Sequence, residues 1–194
     1  MDDASLAAPA VLFPVKKGLS YVPLRPIDSP AKNSLGETFY LAPNPPFGAV
    51  FTYYLKDALQ PAAEARREEE KKLLKDGKPV TFAGWDALRQ EEQELKPEIV
   101  LTVTDESGQV VRRITGPTGN GLHRVAWDLR YPAVDPTQLE TAQRESWEYA
   151  PQGPLVVPGT FTVTLSKKLD GVMTPLGAPA RFVVESLNLA SVVG

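Results

Sequence analysis

Residues 98–129 read EIVLTVTDESGQVVRRITGPTGNGLHRVAWDL, and this stretch decides the fold class. Ile99, Leu101 and Val103 alternate, so an extended chain places all three on one face. Asp105-Glu106-Ser107-Gly108 then supplies a hairpin loop, with a glycine available for the positive φ that a bulged turn requires. The return strand covers 109–114. GPTGNG, residues 116–121, reads as a further hairpin connection; it lacks the Lys-Ser/Thr and the following helix of a phosphate loop. It leads into a strand over 122–129, with His123, Val125, Trp127 and Leu129 on one side.

Working outward, AVFTYYL at 49–55 is rich in β-branched and aromatic residues and predicts a strand. TFTVTL at 160–165 puts Phe161, Val163 and Leu165 inward, Asp170-Gly171 marks a turn, and RFVVE at 181–185 closes the sheet. Six or seven short strands with turn signals between them predict an all-β, mostly antiparallel sandwich. Its expected core is Ile99, Leu101, Val103, Val125, Trp127, Phe161, Val163, Leu165 and Phe182.

Between 60 and 96 the composition changes sharply. EARREEEKKLL at 64–74 is strongly helix-forming, with Gly77 as its stop. A second helix is expected over 85–95, carrying a narrow stripe of Trp85, Leu88 and Leu95. The two make a peripheral helical hairpin inserted between the first and second core strands. Residues 1–46 form a proline-rich extended segment that packs on the sandwich, with 11–13 as an edge strand and 39–41 as a docking piece. The sandwich itself spans 47–190, and 130–157 is a long loop.

The 194 residues carry 21 basic and 24 acidic side chains, a net charge of −3 that offers no basic stripe for nucleic acid. No apolar run is long enough for a membrane span. Cysteine is absent, which removes disulfides and thiolate metal sites. The 19 prolines and 14 glycines suit a loop-rich β body. The first residues have neither a basic nor a long apolar stretch and do not read as a signal peptide, which leaves two readings: a cytoplasmic protein, or a piece of a longer exported one whose signal peptide is not in this chain.

The pattern of Asp105, Gly108, Val110, Val111, Gly121, His123, Val125, Trp127, Asp128, Gly159, Phe161 and Val163 resembles the immunoglobulin-like fold of the flagellar hook-capping protein and related bacterial C-terminal modules. Over nearly the whole chain, VLFPVKKGLSYVP, PNPPFGAVFTYYLKD, the charged insert and GPTGNGLHRVAWDLRYPA together resemble a domain that follows a large β-propeller. Its parents are bacterial proteins with sortilin-like or neuraminidase-type (BNR) repeats, often labelled glycosyl hydrolases. The resemblance implies a secreted, non-catalytic accessory domain that packs against the propeller of an exported parent, periplasmic or extracellular. The propeller and its catalytic residues are not carried by this chain.

Few residues invite a chemical role. Trp127 reads as the core plug, and Asp128 as an acceptor of hydrogen bonds at the strand end. His123 is the single histidine and has no sequence partner for metal binding or base catalysis. Neither a cofactor nor a metal site is expected, and no catalytic residue is assigned. Glu145, Trp147, Glu148 and Tyr149 cluster in the long loop, an aromatic-acid mixture suited to a carbohydrate or a protein neighbour, and Trp85 joins them as a candidate contact. Two alternatives stand beside the accessory reading: a carbohydrate-binding module using those rings, or a part of a glycoside hydrolase that lends a loop to its active site.

Overall fold

The computed structural model describes residues 6–21, 45–134 and 151–187. Among them the chain is mostly β: nine strands and two helices. β1 (Ala10–Leu12), β3 (Ala49–Leu55) and β6 (Gly121–Trp127) form one sheet in the order β1-β3-β6. β2 (Gly18–Ser20), β9 (Ala180–Ser186), β7 (Gly159–Leu169), β4 (Glu98–Thr104) and β5 (Val110–Gly116) form the other in the order β2-β9-β7-β4-β5. β8 (Val172–Pro175) pairs with the far end of β7. All pairings are antiparallel except β2 with β9.

Alternation builds these strands. In β3, Ala49, Phe51, Tyr53 and Leu55 are buried while the residues between them are half-exposed. β4 and β7 contribute Ile99, Leu101, Val103, Phe161, Val163 and Leu165, all buried. The two sheets meet in an aromatic cluster. Phe51 meets Phe182 edge-on at 5.5 Å, and Trp127 meets Phe161 edge-on at 5.4 Å. Offset or edge-on rings add to the apolar area already removed from water. Of the expected core only Val125 is half-buried, packed against the cluster from the open edge of β6.

The β4–β5 loop is the expected hairpin: Asp105 Oδ1 accepts the Ser107 and Gln109 backbone N–H groups at 2.9 Å each, and Gly108 takes φ +83°. Asp170 and Gly171 both take positive φ and turn β7 into β8.

Three local expectations need correction. The loop 116–121 does not close a hairpin, because β5 and β6 lie in different sheets; it carries the chain across from one sheet to the other. The strand expected over 122–129 ends at Trp127, and Leu129, fully buried, turns away with φ +56°. The stripe of Trp85, Leu88 and Leu95 is not a buried face: Trp85 and Leu95 are exposed, and the helix stops at Gln93.

The insert folds as α1 (Ala62–Lys75) and α2 (Trp85–Gln93), neither with a buried residue. Residues 11–12 of the expected edge strand lie in β1, whereas 39–41 fall outside the described residues.

Candidate functional site

Three places gather polar or exposed aromatic groups. The first is the corner after β6. The Trp127 indole Nε1–H donates to the Arg130 carbonyl at 3.1 Å, and Asp128 Oδ1 accepts the Arg130 backbone N–H at 3.2 Å. The Arg130 guanidinium donates to the Gly153 carbonyl at 2.8 Å, drawing residues 153–156 alongside. Val156 N–H completes the seam by donating to the Leu129 carbonyl at 2.8 Å. A Cβ on Gly48, which sits at φ +99°, would collide with the Trp127 carbonyl, so this corner accepts only glycine there. The Trp127 indole, one Asp128 oxygen and the Arg130 guanidinium therefore each have a structural occupation.

The second place is the sheet-crossing loop. The Tyr53 hydroxyl donates to the Pro117 carbonyl at 2.6 Å, and His123 Nε2 lies 2.7 Å from the Gly119 carbonyl. Leu59 N–H donates to the Thr118 carbonyl at 2.8 Å, so β3, the segment that follows it and β6 all hold the loop. Burial pushes the Tyr53 phenol up to about 12. The group stays protonated, a donor and not a base. His123, the sole histidine, anchors the loop it follows.

The third place is the helical arm. The Arg66 guanidinium binds both Glu91 oxygens, at 2.7 and 2.9 Å, and Glu70 at 2.5 Å. Hydrogen bonds to Glu91 and then Glu70 hold Arg66 charged above its usual range, and Arg66 holds Glu91 below the ordinary carboxylate range. Glu94 accepts the first N–H of α1, from Ala62, at 2.7 Å, an anion at a helix N-terminus. Asp170 accepts the Leu95 N–H at 3.3 Å, linking the arm's base to the β7–β8 turn. At the far end, Phe82 and Trp85 touch edge-on at 5.3 Å with their planes 68° apart.

Of the residues expected to meet a ligand or neighbour, Trp85 is thus placed on the arm, exposed. Glu145, Trp147, Glu148 and Tyr149 lie outside the described residues. Phe82 was missed by the sequence reading. The available signal was an aromatic residue three positions before Trp85, in a loop between two charged helices with no core to enter.

A cleft of about 520 Å³ opens beside the β4–β5 turn, lined by Thr104, Asp105, Glu106, Thr160, Thr162 and Arg181. The Ser107 hydroxyl, bonded to Asp105 at 2.6 Å, together with neighbouring backbone N–H groups, holds the Asp105 carboxyl below its usual range. No group of three or more potential metal ligands occurs among the described residues. No described helix is long and apolar enough to cross a membrane. Comparison with family models, with curated proteins and with solved structures found no match.

Proposed function

We propose that this chain is an immunoglobulin-like accessory domain that binds a protein neighbour, the β-propeller of a larger exported bacterial protein of the sortilin/BNR-repeat kind, and that it is not itself catalytic. The strand order supports the immunoglobulin-like reading. The N-terminal segment divides between the two sheets, β1 against β3 and β2 parallel to β9, and consecutive strands β5 and β6 cross between them. Such cross-sheet connections are the Greek-key habit of these folds.

The observation that carries the interaction reading is a mixed apolar surface around the corner after β6. Val134 is 93% exposed and Val157 79%. Val157 and Tyr131 line one cleft, and Pro132 lines another with Val110. Aliphatic and aromatic groups mixed over a polar-rimmed surface suit a protein face. A sugar platform would present rings in a flat row, whereas Phe82 and Trp85 stand edge to face.

Two carboxylates can be set aside as the acid of a glycosidase. Asp105 and Glu91 both shift downward, away from the raised pKa that a general acid for glycoside cleavage needs.

The test adds the propeller-bearing segment of the parent gene in trans and measures binding by calorimetry. Binding that is lost in Val157→Asp and Tyr131→Ser, whose side chains are surface groups, supports the reading. Equal binding by those variants sinks it, as does turnover of chromogenic glycosides by the chain alone.

A further inference from the structure

The helical arm is electrically polarised along its length. Its tip, residues 71–89, carries five basic and two acidic side chains. The rest of the chain carries 16 basic and 22 acidic ones. Acids dominate the arm's base, where Glu64, Glu68, Glu69, Glu91, Glu92 and Glu94 flank the Arg66 staple. The staple and the Glu94 cap fix the base, while every residue from 74 to 83 is exposed. Within that exposed tip stand Trp85, 72% exposed, and Phe82, 62% exposed, with Leu74 and Val80 also open to solvent.

We propose that the tip of the arm docks peripherally on an anionic lipid surface, with Phe82 and Trp85 at the headgroup boundary and Lys71, Lys72, Lys75 and Lys78 over the headgroups. The four lysines lie within eight residues, close to the aromatic pair in sequence. Aromatic and aliphatic side chains rimmed by lysine are the chemistry of segments that lie in the bilayer interface. A cluster of basic residues is drawn to the surface potential of anionic lipids. Charge favours this occupant: an anionic surface attracts the tip and repels the arm's base, while the body outside residues 62–94, with 14 basic and 15 acidic side chains, is close to neutral and does not oppose the approach. Shape agrees. Side chains that protrude from the turn between two helices enter a deformable interface, whereas a rigid protein partner would need a matching pocket. The inference is independent of the protein-neighbour reading, which concerns the corner after β6.

Flotation of the full chain with vesicles of mixed phosphatidylglycerol and phosphatidylcholine tests it. Binding is expected to fall by about tenfold or more on neutral phosphatidylcholine vesicles and to weaken with added salt. Phe82→Ser/Trp85→Ser and Lys71→Gln/Lys75→Gln/Lys78→Gln should each release the protein while its unfolding midpoint stays unchanged, since all these side chains are exposed. Trp85→Phe should still bind, but it should lose the fluorescence quenching that bromine-labelled acyl chains produce in the unaltered chain. Failure of the unaltered chain to float with anionic vesicles overturns the proposal and leaves the tip to a protein partner. Equal flotation by the serine or glutamine variants, or indifference to lipid charge, also overturns it.

Discussion

The two-sheet body and the helical arm are made from the same chain by opposite means. In the body, alternating apolar residues remove nearly all their surface from water, and four aromatic rings, Phe51, Trp127, Phe161 and Phe182, knit the sheets. In the arm's two helices no residue is buried, and they are joined by charge-assisted hydrogen bonds, Arg66 to Glu91 and the Ala62 N–H to Glu94. Apolar burial is not screened by salt as an ion pair is. An exposed or half-exposed ion pair contributes on the order of 1 kcal/mol or less and is screened. The difference teaches that the body sets global stability and that the arm is free to be shaped by what it touches.

Breaking the core should give the largest effect. Trp127→Ala removes a ring that touches Phe161 and Phe182 and should cost about 3–5 kcal/mol in denaturant unfolding. A shift of the size seen for a surface substitution would mean that the rings do not carry the body.

High pH should loosen the body more gently. The Tyr53 phenol titrates near 12 in the folded chain and near 10 when unfolded, so its contribution is fully present below about 10 and is lost as pH rises toward about 12. The loss should approach about 3 kcal/mol by order of magnitude. Tyr53→Phe, measured by unfolding at pH values across that window, should lack this alkaline fall. An unchanged fall would assign the effect to other groups.

In the arm, Arg66→Ala should leave the global unfolding midpoint within about 1 kcal/mol of its original value. Amide exchange in α1 and α2 should nonetheless rise, because the Arg66–Glu91 link is gone and, among the described residues, only the Glu94–Ala62 cap still ties the helices. A cooperative loss of the whole body in this variant would show that the comparison is drawn in the wrong place. The smallest effect should come from replacing residues 62–94 with a short Gly/Ser linker, since loop-closure cost changes slowly with length. A chain that no longer unfolds cooperatively would place the helices within the body.

The parts legible in the sequence were those with a period or an obligatory turn residue. AVFTYYL and EIVLTVT declared their faces through alternation, and Gly108 its turn. β2 escaped because Gly18-Leu19-Ser20 is too short to show any period; it exists through its pairing with β9. β8 escaped because all four residues are exposed, so nothing selects their order. The loop 116–121 was misread because a six-residue connection rich in glycine serves a hairpin and a sheet crossing equally well. Local chemistry cannot tell them apart; the Tyr53 and His123 contacts that fix the crossing come from distant positions or from side chains with ordinary strand spacing. Trp85 was legible as a candidate contact but misassigned to a helical stripe, because spacing alone does not say whether anything faces the stripe.

One feature of the β2–β9 pair bears on mechanics. The two strands run parallel, with Gly18 opposite Val184 and Ser20 opposite Ser186. Lys17 and Glu185 bridge them at 2.9 Å, and the Leu187 N–H donates to the Ser20 carbonyl at 2.9 Å. A pull transmitted through both ends of the chain draws β2 backward and β9 forward along the same line. Their bonds are then loaded in shear, sharing the force instead of peeling open one after another. On the N-terminal side such a pull reaches the β1–β3 pairing before this clasp, so two short edge pairings are loaded ahead of the aromatic interior.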